Sequence, residues 1–148
     1  MATYKATDLN TKQLHGGEFG EVNMPSGKLT PTTGTSGDIY SICKIPAGAE
    51  VHALVIANGD LDTGTSVLAV KIGYAPVDGV NPTGVDNYFS PAGDVVLASA
   101  NLGKLYANFD PIKFEFDVFL NLVVTTSANV FAAAAIWAKV LTRNVGVK

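Results

Sequence analysis

Glu50-Val51-His52-Ala53-Leu54-Val55-Ile56-Ala57-Asn58, then Gly59-Asp60-Leu61-Asp62-Thr63-Gly64-Thr65, then Ser66-Val67-Leu68-Ala69-Val70-Lys71-Ile72-Gly73-Tyr74-Ala75: two apolar runs joined by a short acidic turn. Val51 to Ala57 is almost continuously apolar and rich in β-branched residues, the pattern of a strand buried on both faces. After the turn, Leu68, Val70, Ile72 and Tyr74 share one face of a strand, and Val67, Ala69 and Lys71 share the other. The Leu68 face is the expected core face. In between, glycines tolerate unusual backbone angles, and Asp and Asn side chains accept nearby N–H groups. The two runs read as a hairpin, and the chain as a β protein.

The same punctuation continues on both sides. Ile39 to Ile45 reads as a strand that stops at Pro46-Ala47-Gly48. Residues 76–93 are a loop rich in Pro, Gly, Asp and Asn, with Tyr88-Phe89 set between turn formers. Asp94 to Ala100 is a short strand or a helical turn. Lys113 to Phe119 alternates charged and apolar residues, as a half-solvated strand does, and Leu120 to Thr126 continues it or pairs with it. Residues 131–143 are ambiguous. Four consecutive alanines suit a helix capped by Ser127. As a strand, Ala134, Ile136, Ala138, Val140 and Thr142 share one face, and Trp137, Lys139, Leu141 and Arg143 the other. Thr125 to Asn129 resembles a hairpin connection, which favours a strand beginning near Ala133.

Residues 1–37 differ in composition. They hold Gly16-Gly17, Pro25-Ser26-Gly27 and Thr32 to Gly37, and few large apolar side chains. Such a segment buries too little surface to offset its ordering entropy by itself. It is expected to be an extended N-terminal arm with one short strand, Glu18 to Met24, anchored by Phe19 and Val22. Residues 38–148 then form the folded body. Seven or eight strands with long polar loops predict an all-β fold: a two-sheet antiparallel β-sandwich, with a jelly roll the expected form. No period of 20–50 residues repeats, which argues against a propeller or solenoid.

Bulk numbers bound the function. A chain of 148 residues suits one domain. Its 16% charged residues are few, which suggests that part of the surface is covered by a partner. The net charge of −3 and the scattering of its ten basic residues argue against nucleic acid, which demands clustered cations. The amino terminus lacks the apolar core of a secretory signal. The greasiest stretches are interrupted by Asn121, Lys139 and Arg143, short of the ~20 residues that span a bilayer. A soluble protein made in a cytoplasm, without a membrane partner, is the expectation.

The residues that could carry chemistry are thinly spread. Cys43, the only cysteine, lies in an apolar run and reads as an inert buried thiol. His15 and His52 fall in different segments, so no shared metal site is expected. Asp60-Leu61-Asp62-Thr63-Gly64 has the opening of a calcium loop but lacks its third ligand and its closing Glu, so the carboxylates are expected to bind backbone donors instead. Glu115 and Asp117 would lie about 7 Å apart on one strand face, but catalytic pairs usually come from different elements across a cleft. His15 to Gly20 is too loose for a phosphate loop, and Ser41 and Ser66 have no evident His–Asp partners. No enzyme activity, metal or cofactor is expected. Tyr88 and Phe89 are the better leads. They suit a protein interface or a platform for sugar rings, unless they fold back over the open end of the sandwich. Trp137, on a strand, reads as a core or sheet-edge residue.

Ile45-Pro46-Ala47-Gly48-Ala49-Glu50-Val51, Asp60 to Ser66, Val70-Lys71-Ile72-Gly73-Tyr74 and the closing Leu122-Val123-Val124-Thr125-Thr126-Ser127-Ala128 resemble a group of small tailed-bacteriophage structural proteins. These are the head decoration, or cement, proteins. The likeness covers residues 38–143 and departs at the four alanines, where such proteins more often carry a Gly- and Thr-rich turn. It implies a jelly-roll protein on the capsid exterior, made in the host cytoplasm, that binds the major capsid protein. Exposed sheet edges, which need covering, make a dimer or trimer the further expectation. Phe19, Val22, Tyr88 and Phe89 are the candidate partner contacts. The competing reading is a carbohydrate- or receptor-binding module of a phage tail or bacterial surface, in which Tyr88, Phe89 or Tyr106 would line an exposed groove.

Overall fold

In the computed structural model, residues 1–9, 22–65 and 67–146 are described, and none of them is helical. They hold β1 (Thr3–Lys5), β2 (Val22–Asn23), β3 (Ser26–Leu29), β4 (Ile39–Ile45), β5 (Ala49–Asn58), β6 (Ala69–Pro76), β7 (Val95–Val96), β8 (Asn101–Tyr106), β9 (Ile112–Lys113), β10 (Val118–Thr126) and β11 (Ile136–Asn144). Five long strands, β4, β5, β6, β10 and β11, form the frame; most of the others are two to four residues and finish its edges. One sheet runs β1-β4-β10-β6-β7. The other runs β2-β11-β5-β8, with β3 also on β11 and β9 also on β5. Apart from the parallel pair β1–β4, the ladders are antiparallel. The two sheets face each other as a β-sandwich of the jelly-roll kind.

The long strands change sheets at three of their four connections, the exception being β6 to β10, which pair with each other. β4 lies in the first sheet, β5 in the second, β6 in the first, β10 in the first and β11 in the second. This corrects the hairpin reading of residues 50–75: β5 and β6 do not pair with each other. They are joined across the end of the sandwich, so the apolar inner face of each meets the other through the core instead of through a ladder. The connection from Thr125 to Asn129 is likewise a crossover, not a hairpin. Residues 113–119 also differ from expectation. Lys113 ends β9 in one sheet and Val118 begins β10 in the other, so the backbone must bend between them. The bend breaks the alternation: Phe114 is buried, whereas Phe116 is half exposed.

β11 resolves the ambiguity of the alanine-rich segment in favour of a strand. It starts at Ile136, after the alanines and three residues later than expected. Ile136, Ala138, Val140 and Thr142 point inward, and Trp137, Lys139, Leu141 and Arg143 outward. Nine ladder positions against β5 outweigh a local preference for helix, because every inward residue meets an inward residue of β5.

The core lies between the sheets. Tyr40, Ile42 and Ile45 of β4, Leu120 and Leu122 of β10, and Val70 and Ile72 of β6 are all fully buried. From the opposite sheet come Val51, Leu54, Ile56, Ile136 and Val140. Cys43 is buried too, and desolvation, reinforced by the charge of Asp8, pushes its thiol up to about 12, so it is an unreactive packing residue. Among the described residues of 1–37, three short strands stand where the sequence suggested one. The strand read at residues 18–24 survives in its described part as β2; Phe19 and His15 lie outside the described residues. Buried Asp38 ties the amino end down, accepting the Ala2 N–H at 2.8 Å, the Thr33 hydroxyl at 2.7 Å and the Thr35 N–H at 3.0 Å.

Candidate docking surface and groove

The residues that sequence reasoning weighed for catalysis are occupied elsewhere. Asp117 pairs with Lys44 at 2.6 Å and accepts the Ala47 N–H at 2.8 Å. Glu115 pairs with Lys113 at 2.9 Å. The two carboxylates therefore answer to separate cations and lie on a bend rather than on one strand face. Among the described residues no group of three or more His, Cys, Asp or Glu is arranged to hold a metal ion.

Asp62 does what the calcium-loop lookalike was expected to do. Its Oδ1 accepts N–H bonds from Gly64 and Val130 at 3.1 and 3.0 Å. Its Oδ2 accepts those of Val67, Leu68 and Asn129 at 3.0, 3.3 and 3.1 Å. The Val130 N–H, with the other donors beside it, holds this carboxyl far below the usual range against the opposing effect of burial. The loop after β5 and the loop after β10 are thus pinned to one anion.

The outer face of the β2-β11-β5-β8 sheet has a different character. Antiparallel partners share a face, so the register fixes its rows. Lys28, Trp137 and Ala57 make one row; Ser26, Lys139, Val55 and Leu105 the next; Leu141 and Ala53 a third; Val22, Arg143 and Glu50 the last. Trp137 is 40% exposed, Leu141 38%, Leu105 64% and Val22 65%, a concentration of apolar surface unusual for a sheet facing water. The charges among them are cationic except for Glu50, which lies 3.4 Å from Arg143. The Lys28 ammonium sits 5.2 Å from the centre of the Trp137 ring. In a chain of net charge −3 this face is locally positive. Sequence reasoning missed it, although the alternation Trp137-Lys139-Leu141-Arg143 held the signal: an outward strand face mixing large apolar and basic side chains.

The paired aromatics divide. Phe89 is 2% exposed and packs edge-on against Tyr88 and Phe109 at 5.4 and 4.9 Å between ring centres, so it closes the end of the core and offers no surface to a partner. Tyr88 remains partly exposed, its hydroxyl donating to the Asp110 carbonyl at 3.0 Å. It borders an open depression of about 620 Å³ with Asn87, Asn108 and Asp110. A second depression of about 250 Å³, bordered by Asp94, Lys104 and Tyr106, adjoins it. The two share Pro91, Ala107 and Asn108 and run along the open side of the sandwich, between β8 and the segment before β7. Of the four partner contacts proposed from sequence, Val22 and Tyr88 thus have described, exposed surface.

Chains from three phage capsids share this architecture. A chain of the capsid of Ralstonia phage GP4 matches with a TM-score of 0.78, covering 96% of this chain and 97% of its own at 15% identity. A chain of the cyanophage Pam1 capsid asymmetric unit matches at 0.64, covering 90% and 94% at 17% identity. A chain of the acid-stable capsid of Helicobacter pylori bacteriophage KHP30 matches at 0.58, covering 85% and 90% at 15% identity. The fold is one found in phage capsids. At such identities the shared property is the fold, and the coverage shows that it is shared almost end to end. No family model matches the sequence, and no curated protein sequence is significantly similar to it.

Proposed function

We propose that this chain is a non-enzymatic structural protein of a phage virion, which sits on the outside of the head and stabilises contacts between neighbouring major capsid subunits. The observation that carries this reading is the near full-length match to a chain of the Ralstonia phage GP4 capsid. The mechanism is passive. The sandwich supplies a rigid body, and the outer face of the β2-β11-β5-β8 sheet supplies apolar side chains and cations for docking. Its charge suits an acidic, partly apolar shell surface, where Trp137, Leu141, Leu105 and Val22 would lose contact with water. A body that touches two shell subunits gains avidity without any single strong contact, and a shell repeats the site many times. Its net negative charge suits the exterior, away from packaged DNA. Assembly as a dimer or trimer fits this role, since edge strands such as β8 need covering. Synthesis in the host cytoplasm precedes attachment.

The test is to mix the purified protein with purified shells of the matching phage lacking it, then measure co-sedimentation and the melting temperature of the shells. The reading expects saturable binding and a higher melting temperature. Absence of binding to both immature and expanded shells ends it.

A further inference from the structure

We propose that the groove on the open side of the sandwich, between residues 87–95 and 104–110, binds a neutral saccharide. This is a separate claim from shell docking and uses a different surface.

The geometry comes from the sheet register. β8 is the edge strand of its sheet, and its Tyr106 pairs with Leu54 and its Lys104 with Ile56. Leu54 and Ile56 point into the core, so Tyr106 and Lys104 point the same way. Beyond the sheet edge that direction leads to the gap facing Phe89, Pro91 and Asp94. The opposite wall is held in place: the Phe89 N–H donates to the Ile72 carbonyl at 2.9 Å, and the Ile72 N–H donates to the Ser90 hydroxyl at 3.0 Å. Buried Phe89 anchors this wall from behind. The groove is therefore lined on one side by this held segment and on the other by the end of β8 and the loop that follows it, residues 107–110.

Its lining has the two parts that sugar recognition requires. Tyr88 and Tyr106 supply partly exposed rings, against which the C–H face of a pyranose can stack. Asn87, Asn108, Asp94 and Asp110 supply the planar amides and carboxylates that pair with vicinal hydroxyls. Asp94 already accepts the Thr125 hydroxyl at 2.6 Å, which fixes its orientation. The Lys104 ammonium lies 5.5 Å from the centre of the Tyr106 ring and adds a donor at one end. Two carboxylates against one ammonium disfavour anionic sugars, which selects a neutral one. The depression beside Tyr88 is open and its lining chiefly polar, unlike the apolar pocket that anchors a peptide side chain, while the one beside Tyr106 is more apolar and suits the C–H face of a sugar ring. Affinity per site is expected near the millimolar range and becomes useful on a particle through repetition.

The experiment is a glycan array probed with the labelled full-length chain, followed by NMR titration with the best neutral oligosaccharide and with a sialylated one. The expected result is a neutral hit that shifts backbone amides within 87–95 and 104–110, weakened about tenfold or more by Tyr106→Ala. Asn108→Ala, at an exposed position, weakens the same hit and controls for loss of fold. The proposal is overturned if no neutral glycan binds, if the shifted amides lie elsewhere, if both variants bind as the parent does, or if the sialylated sugar binds more tightly.

Discussion

The carboxylate of Asp62 holds the backbone N–H of Val130 at 3.0 Å across 68 positions of sequence. Both residues belong to crossovers between the sheets, so this one anion fixes where two chain reversals sit. Asp62→Asn keeps the shape but replaces one oxygen by a donor that opposes N–H groups. Asp62→Ala leaves all the donors without a partner. Both variants are expected to melt below the parent, Asp62→Ala the lower, as differential scanning calorimetry would show.

Acid sensitivity follows from the same group. Asp62 and Asp38 are both held below the ordinary value of 3.8 in the folded state: Asp62 by N–H donors led by Val130, and Asp38 by bonds from Thr33, Ala2 and Thr35 that outweigh burial. Their contribution is complete above the unfolded-state value and is lost as pH falls through the lower folded-state values. Melting temperature should therefore hold steady from neutral pH to the ordinary carboxylate range and drop below it. In Asp62→Asn the drop should be shallower. An equally steep fall in the variant would assign the acid response to other carboxylates.

Gly73 of β6 has no room for a side chain. A Cβ there would lie 1.9 Å from the Val85 carbonyl oxygen, a backbone atom that moves only if the 85–89 segment leaves the sheet edge. Gly73→Ala is expected to cost more than about 3 kcal/mol in urea unfolding, at or above the upper range of overpacking. Gly79, at φ +77°, has open space around it. Gly79→Ala should cost only the left-handed backbone penalty, about 1 kcal/mol.

Phe89→Ala removes a buried ring from the aromatic end of the core, which Tyr74, Tyr88, Phe109 and Phe114 share. The expected loss is about 3–5 kcal/mol, read by chemical denaturation. A loss under about 1 kcal/mol would mean that Phe89 sits outside the core.

Leu105→Glu combined with Leu141→Glu changes the outer sheet face without entering the core. The double variant should lose less than about 1 kcal/mol of stability. On purified shells it should bind at least about tenfold more weakly than the parent, about 1.4 kcal/mol. Unchanged binding would move the docking surface elsewhere.

The strands were legible where burial imposes a period on the sequence. Ile39 to Ile45 matches β4 end to end, and the Leu68-Val70-Ile72-Tyr74 face is the buried face. Which strand pairs with which was not legible. Two apolar strands separated by a Gly- and Asp-rich turn look alike whether they join in a ladder or face each other across a core. The difference is set by Asp62 reaching Asn129 and Val130, a contact invisible at short range. Phe114 and Phe116 were placed together for a similar reason, since nothing local announces the bend between β9 and β10. At the candidate site, Tyr88 was readable from its turn-forming neighbours. The outer sheet face was not, because its rows join residues from β2, β3, β5, β8 and β11.

The pairing of β4 with β10 and of β5 with β11 has a consequence for biosynthesis. A nascent chain halted before Ile136 has made β5 but not the strand that should lie between it and β2 and β3. Its central apolar strands would emerge from the ribosome well before their partners and stay exposed until β11 follows. Products truncated before Ile136 should be sticky rather than half-folded, and the sandwich completes itself only when β11 slides home.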